Sequence, residues 1–462
     1  MINAKPVTQT DLEQAALFTL DAVANALAGR RSPAGELLLA WQKTLGDNPD
    51  AGRRAFLLGA LTHILEVDDL HRASVVHSGC VVVPAAWTVA EREGATGRDL
   101  LIAVLRGFEA ATRVGMAVGP AHYRVWHNTA TCGPYGSAMA VGSLLKLDEA
   151  ATVHALGNAG TQSSGLWQFL TTGAMTKHLH AGRAAEAGLL AADLARLGFT
   201  GPPAILEGEQ GFFAATCPDA DPQAVVREPD GPWQLLATSI KPWPSCRHTH
   251  PAIDAAQELR AQMPEWDAVR QIEVETYSAA LDVCDRPAPQ TDYEAKFSLH
   301  HCVAAALTRA EMDFAAFDAQ ARSELADLRA RVRLCVAEPY ASAYPHCWGS
   351  AVTIVCHNGT RLRAQRTHAK GDPEAALRRS EMIAKGGEEL AEIRWGSRTA
   401  DVDSGYSSCP MIIRCLPAGC DSLSVNNPTE QGCPKWKGPI VAFSPAPTRF
   451  LFGWNNDDVR FQ

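Results

Sequence analysis

The sequence predicts a mainly α-helical protein with a second, α+β domain, on three observations. From Thr8 to about Leu206 the chain is rich in Ala and Leu, with apolar residues near every third or fourth position and Gly or Pro between blocks. A proline-rich passage then breaks the helical pattern. Beyond it, runs of β-branched residues alternate with helical stretches.

The helical part is expected over residues 1–240, with clear members at Glu149 to Ala159 and at Lys177 to Leu197, the latter stopped by Gly198 as a C-cap. Pro202, Pro203, Pro218, Pro222, Pro229 and Pro232 exclude a long helix before the boundary, which is placed near Ile240. The α+β domain is expected over 241–385. Gln271 to Tyr277 and Val352 to His357 read as strands, and Pro251 to Gln262 and Ala304 to Leu325 as helices. His357, Asn358 and Gly359 form a hairpin turn into Thr360 to Ala364. From 386 to 462 the texture changes, with clustered Cys and Pro and little periodicity, and no element is assigned there.

Apolar residues at 46% and charged residues at 20% are ordinary for a globular chain. A formal charge of −9 argues against a nucleic-acid partner, because neutralising phosphates needs a basic face. An anionic substrate must then be held by a few local cations. The N-terminus carries acidic Asp11 and Glu13 and lacks a secretion signal, and no apolar run approaches the ~20 residues that cross a bilayer. A cytoplasmic protein without a membrane partner is the expectation. The 13 cysteines are scattered, and the spacing of Cys409, Cys415, Cys420 and Cys433 fits no standard zinc pattern.

No phosphate loop, nucleotide fingerprint or paired CxxC is present, which leaves acid–base chemistry in five patches and no expected cofactor or metal. Glu66 to Arg72, continuing through His77 to Cys80, fits a general acid–base group, a metal site or a polar helix end. Trp126 to Gly133, with His127 and Thr131, fits a helix cap that also presents donors to a carboxylate, or a core histidine. Met175 to Gly182 opens a helix with Lys177, where the positive helix end lowers proton affinity and favours an anion. Ile240 to Pro251 sets Lys241, Arg247 and His248 beside a rigid turn, either an anion-gripping hinge or a solvated linker. Thr291 to His301 contains Tyr293 and begins a helix.

In this order, the stretches VDDLHRASVVHSG, HNTATCGPYGSA, MTKHLHAGRAAEAG, KPWPSCRHTHPAID and YEAKFSLHHCVA resemble the MmgE/PrpD family. Its members include 2-methylcitrate dehydratase, cis-aconitate decarboxylase and iminodisuccinate epimerase. The resemblance implies a helical domain built from both chain ends, so that 386–462 completes it, with the α+β domain inserted as a lid and the whole assembled as a homodimer. It places an active site in the interdomain cleft, with Lys177, His77, Asp69 and His127 as catalytic residues. Lys241, His248, Tyr293, Arg72 and Thr131 would bind a di- or tricarboxylate. Two departures stand out: Ser78 follows His77 where many relatives carry Pro, and the tail after Lys385 does not look like the family's closing helices.

The expected reaction is epimerisation of the α carbon of a dicarboxylate such as iminodisuccinate, with Lys177 and His77 as bases on opposite faces. A hydro-lyase or decarboxylase on a citrate-like tricarboxylate would use the same groups. A non-catalytic helical binding protein is the reading from another class.

Overall fold

The computed structural model describes residues 1–385, apart from 47–48 and 263–264, together with three short strands nearer the C-terminus. Among the described residues, ten α-helices occupy the first part: α1 Gln9–Gly29, α2 Pro33–Thr44, α3 Ala51–His63, α4 Gly79–Glu93, α5 Gly97–Ala117, α6 Gly119–Tyr123, α7 Asn128–Leu144, α8 Glu149–Gly160, α9 Thr176–Arg196 and α10 Phe212–Thr216. Their starts are written locally. Thr8 with Asp11, and Thr96 with Asp99, form capping boxes in which each side chain satisfies the other's backbone N–H.

α7 is buried along almost its whole length and packs against α4, α5, α8 and α9. Small residues allow this closeness. A Cβ on Gly188 of α9 would run into Ser137 and the backbone of Pro134 and Ala138, and one on Gly107 of α5 would meet Val82, Ala140 and the Gly136 carbonyl. The core of this domain gathers Trp87, Leu105, Phe108 and Val82. Among the described residues no helix is long and apolar enough to cross a membrane.

The α+β domain contains α11 His250–Arg260, α12 Ser278–Cys284, α13 Asp292–Lys296 and α14 Leu299–Thr308. Its sheet comprises β3 Val269–Thr276, β4 Val332–Val336, β5 Ser350–Cys356 and β6 Arg361–Arg366 in the order β4-β3-β5-β6, with only the β3/β4 pair parallel. All seven residues of β5 are buried, as a central strand demands. The β5–β6 hairpin turns through Gly359 at φ 87°, with Asn358 accepting from the Thr360 N–H. The helix expected over Ala304 to Leu325 is instead split. α14 stops at Thr308, and the side chains of Asp313 and Asp318 cap two new short helices by accepting from Ala316 and Ala321.

The two domains are tied at several points. β1 Leu70–His71 pairs antiparallel with β2 Thr238–Ser239, and Lys296 of the α+β domain donates to the Leu65 carbonyl at 2.9 Å. The chain then returns: Met382 joins the helical core, and the Lys385 ammonium bonds Asp21 and the Val67 carbonyl. In the tail, β7 Arg414–Cys415, β8 Ile440–Phe443 and β9 Leu451–Gly453 form a separate three-stranded sheet. The rest of 386–462, including the segment expected to complete the helical domain, lies outside the described residues.

Candidate active site

After α3 ends at His63, the chain bends through Glu66, whose φ of 61° is a left-handed conformation that few non-glycine residues adopt. The bend turns the Glu66 carboxylate toward the start of α9. There Lys177 Nζ donates to both Glu66 oxygens, at 2.5 Å and 2.7 Å. Lys241, just past β2, donates to the Glu66 carbonyl at 3.1 Å, and its ammonium lies 3.7 Å from Glu66 Oε2 and 3.7 Å from Asp68 Oδ1. Asp68 in turn faces two histidines: Oδ2 is 2.6 Å from His63 Nδ1 and 3.3 Å from His77 Nδ1.

The second patch works from behind this cluster. The His77 backbone N–H donates to Thr129 Oγ1 at 3.1 Å, and the Asn128 side chain donates to the Ser74 carbonyl at 2.8 Å. The start of α7 therefore holds the loop that carries His77.

Electrostatics separates these groups into charged and neutral. Burial works to raise Glu66, but Lys177 and Lys241 outweigh it and hold the carboxyl down at about 2. Burial likewise opposes ionisation of Asp68, and His63, His77 and Lys241 overcome it, keeping Asp68 well below the usual range. Burial pushes His77 down to about 4, with Asp68 only partly opposing, so His77 is a neutral imidazole near neutral pH. Its Nδ1 faces the Asp68 carboxylate, which favours the N–H there and leaves the lone pair on Nε2.

Glu66, His77, Lys177, Lys241, Arg247 and His248 all line one cavity of about 420 Å³ between the domains. Phe297 and Trp348 close its lid side, and Lys177 Nζ stands 5.4 Å from the Phe297 ring. His248 is fixed by a 2.7 Å bond to Tyr277 and by stacking on Trp348 at 4.4 Å. Burial and the nearby cations Arg247 and Lys241 hold it down at about 3. A second, larger cavity of about 600 Å³ lies beyond the Trp167–Thr171 turn, with His180 on its wall.

The other five residues expected at the site do not line the interdomain cavity. Asp69 accepts from the Gly79 N–H at 2.9 Å, capping α4, and burial beside Asp68 and Asp21 pushes its carboxyl well up. His127 sits between His63, Trp167 and His180, with its Nδ1 3.3 Å from that of His180. Thr131 is engaged by His122 at 2.9 Å, and Arg72 by Glu374 at 2.6 Å and Asp372 at 3.5 Å. Tyr293 packs against Phe297 and, edge-on, against His178. Conversely, Glu66 and Asp68 join the cluster from the first patch, where spacing alone does not separate their roles from that of Asp69, and His63 gives no sequence signal as an isolated histidine at a helix end.

His63, Asp68 and His77 present ligand atoms within 4.8 Å of one another, the geometry a metal ion would use. The Lys241 ammonium already supplies positive charge 3.7 Å from Asp68 Oδ1, which disfavours a divalent ion beside it. His368, Asp372 and Glu374 form a second such group, into which Arg72 and Arg247 already donate.

A helical body and an α+β lid thus enclose lysines, a carboxylate and neutral imidazoles around one interdomain cavity. The chain belongs to the MmgE/PrpD family: residues 2–225 match the MmgE/PrpD N-terminal domain and residues 243–395 the C-terminal domain. It is similar to cis-aconitate decarboxylase of Aspergillus terreus, 29% identical over 306 residues, covering 59% of this chain and 62% of that protein. A cis-aconitate decarboxylase-like protein of Aspergillus oryzae is 30% identical over 288 residues, 56% of this chain and 60% of that one. Human cis-aconitate decarboxylase is 28% identical over 268 residues, 55% and 54% respectively. The matched part thus spans less than two thirds of each relative's length.

Proposed function

We propose that the protein is a lyase that decarboxylates a cis-aconitate-like tricarboxylate by side-chain acid–base chemistry. The observation that carries this is the convergence of Lys177, Lys241, His77 and Glu66 on one enclosed cavity, in a chain whose curated relatives include cis-aconitate decarboxylases. The decarboxylase relatives favour lyase chemistry over epimerisation.

In such a substrate the carbon–carbon bond to the departing carboxylate breaks and releases carbon dioxide. Its electron pair forms a new double bond, and the pair of the old alkene takes up one proton at the carbon beside a remaining carboxylate. Lys177 is assigned as the donor of that proton. Before transfer its ammonium rests on Glu66, and Lys241 offsets the negative charge that builds on the carboxylate system. Glu66, Asp68 and the lysines are held by the fold before substrate arrives, so little reorganisation is needed at the moment of reaction.

His77 supports a second reading. A neutral imidazole oriented by Asp68, lining the same cavity as Lys177, supplies the second base that epimerisation requires. Incubation of the purified protein in deuterated water with cis-aconitate and, in parallel, with one enantiomer of an amino-linked disuccinate separates the two. Released carbon dioxide with one deuterium in the product supports the lyase. No carbon dioxide, with deuterium exchange and loss of optical activity in a chiral amino-linked disuccinate, supports the epimerase instead.

A further inference from the structure

The charge balance of the cleft assigns carboxylate recognition to groups other than its two lysines. Lys177 and Lys241 face two ionised carboxylates, Glu66 and Asp68, so this inner quartet carries no excess positive charge for a polyanion. Histidines at the same wall are neutral: His77 is held at about 4 and His248 at about 3, each first by burial. A tricarboxylate has to find its counter-charge elsewhere.

Two guanidiniums on the cavity wall remain. Arg247 is 3% exposed, and only one of its nitrogens, Nη2, has a partner, Asp372. Its Nε and Nη1 are buried with no hydrogen-bond partner among the described residues. Unpartnered buried donors are costly and rare, and an arginine that lines a cavity in this state is completed by an acceptor entering it. Arg72 and Arg247 together face Asp372 and Glu374, so what Arg247 offers an incoming carboxylate is its two open donors rather than a surplus charge. The Asp372 carboxylate also serves Arg72 at 3.5 Å, the Ser239 hydroxyl at 2.6 Å and the Ala369 N–H at 2.9 Å.

Arg124 stands where the cavity meets solvent. It lines the same space, is exposed, and its side chain has no ion pair or hydrogen bond among the described residues. The turn that carries it is anchored by backbone bonds from Arg124 to the Pro120 carbonyl at 3.2 Å and from Trp126 to the His122 carbonyl at 2.8 Å. Planar guanidiniums pair with carboxylates through two parallel N–H donors, a geometry an ammonium cannot offer.

We propose that Arg247 in the cleft and Arg124 at its mouth are the carboxylate-binding residues, holding the two ends of a substrate with at least two separated carboxylates while the lysines remain available for proton chemistry. This rests on the tricarboxylate reading above and adds to it the residues that select for carboxylate number.

The test is calorimetric binding of tricarballylate, an unreactive tricarboxylate, and of acetate to wild type, Arg124→Met, Arg247→Lys and Arg247→Met, alongside carbon dioxide release from cis-aconitate. Arg124→Met, a change at an exposed position, is expected to weaken tricarballylate roughly 10- to 100-fold, the loss typical of a hydrogen bond to a charged group. Arg247→Lys keeps the charge opposite Asp372 and loses the fork, and should weaken tricarballylate to a similar degree, with circular dichroism unchanged. Neither loss should be matched for acetate, which needs only one site. Wild-type affinity in both Arg124→Met and Arg247→Lys overturns the assignment, and turnover by wild type leaves the reaction proposal standing in that case. Tight tricarballylate binding that both substitutions weaken, with no carbon dioxide from wild type, upholds the arginines and removes the decarboxylase reading.

Discussion

Lys177 Nζ and the Glu66 carboxylate form a buried two-point contact, at 2.5 Å and 2.7 Å, between the first turn of α9 and the left-handed bend after α3. Removing one partner leaves an uncompensated charge in the interior. Lys177→Met should abolish turnover and lower unfolding stability by about 3–5 kcal/mol, the range for breaking a buried pair. Adding Glu66→Gln should recover much of that stability in urea titrations without restoring turnover. A double variant as unstable as the single one would contradict this account.

His77 offers a neutral Nε2 to the cavity, with Asp68 behind it. His77→Asn is expected to reduce turnover by about 10²–10⁴-fold, the usual contribution of a positioned acid or base. Steady-state rates within tenfold of wild type would remove His77 from the chemistry.

Thr129 positions that histidine through its backbone N–H. Thr129→Val preserves shape but orphans a buried donor, so about 1–3 kcal/mol of stability should go. Turnover should fall with it, because the His77 loop loses one of its two ties to α7. Thermal melts and rates measured together check both parts.

Acid should destabilise the protein well above the carboxylate range. Burial foremost holds His71, His77 and His180 at about 4, and His178 and His248 at about 3. In the unfolded chain histidines titrate near 6.5, so below that pH the unfolded state binds more protons. The stability these five contribute is complete above about pH 6.5 and is lost as pH falls toward 4 and 3, at up to about 1.4 kcal/mol per pH unit for each group. Urea midpoints at pH 7.5, 6.0 and 5.0 should decline in that order; equal midpoints would show that the imidazoles are not held neutral.

Gly188 tests the packing beneath the site. Gly188→Ala places a methyl against Ser137 and the α7 backbone, which cannot yield as a flexible side chain would. A loss of about 1–3 kcal/mol is expected from such overpacking, read as a lower melting temperature.

Much of this arrangement was legible in the residues because chemistry and local structure share the same short stretches. Lys177 opens α9 where the sequence has a helix start, and Lys241 to His248 follow the proline-rich break that ends the helical pattern. What the sequence concealed is set by distant contacts. His63 looks like any histidine at a helix end until Asp68, five residues on, folds back to it. Arg124 sits in a turn with no motif, and its place at the cavity follows from how α6 meets the lid. Arg72 stands among the acids of the first patch, yet Asp372 and Glu374, about 300 residues away in sequence, take its guanidinium away from the cavity. The break in the helix expected over Ala304 to Leu325 came from Asp313 and Asp318, which helical periodicity alone does not weigh as caps.

The two-residue pairing of Leu70–His71 with Thr238–Ser239 has a mechanical implication. The segment that leads into the lid uses as its partner strand the very stretch that follows Glu66 and Asp68 and precedes His77, and Lys241 lies two residues beyond it. Any displacement of the lid segment at β2 would therefore pull on the strand that joins Asp68 to His77. Opening the cleft to a ligand and shifting its acid–base groups would then be coupled through the same few residues.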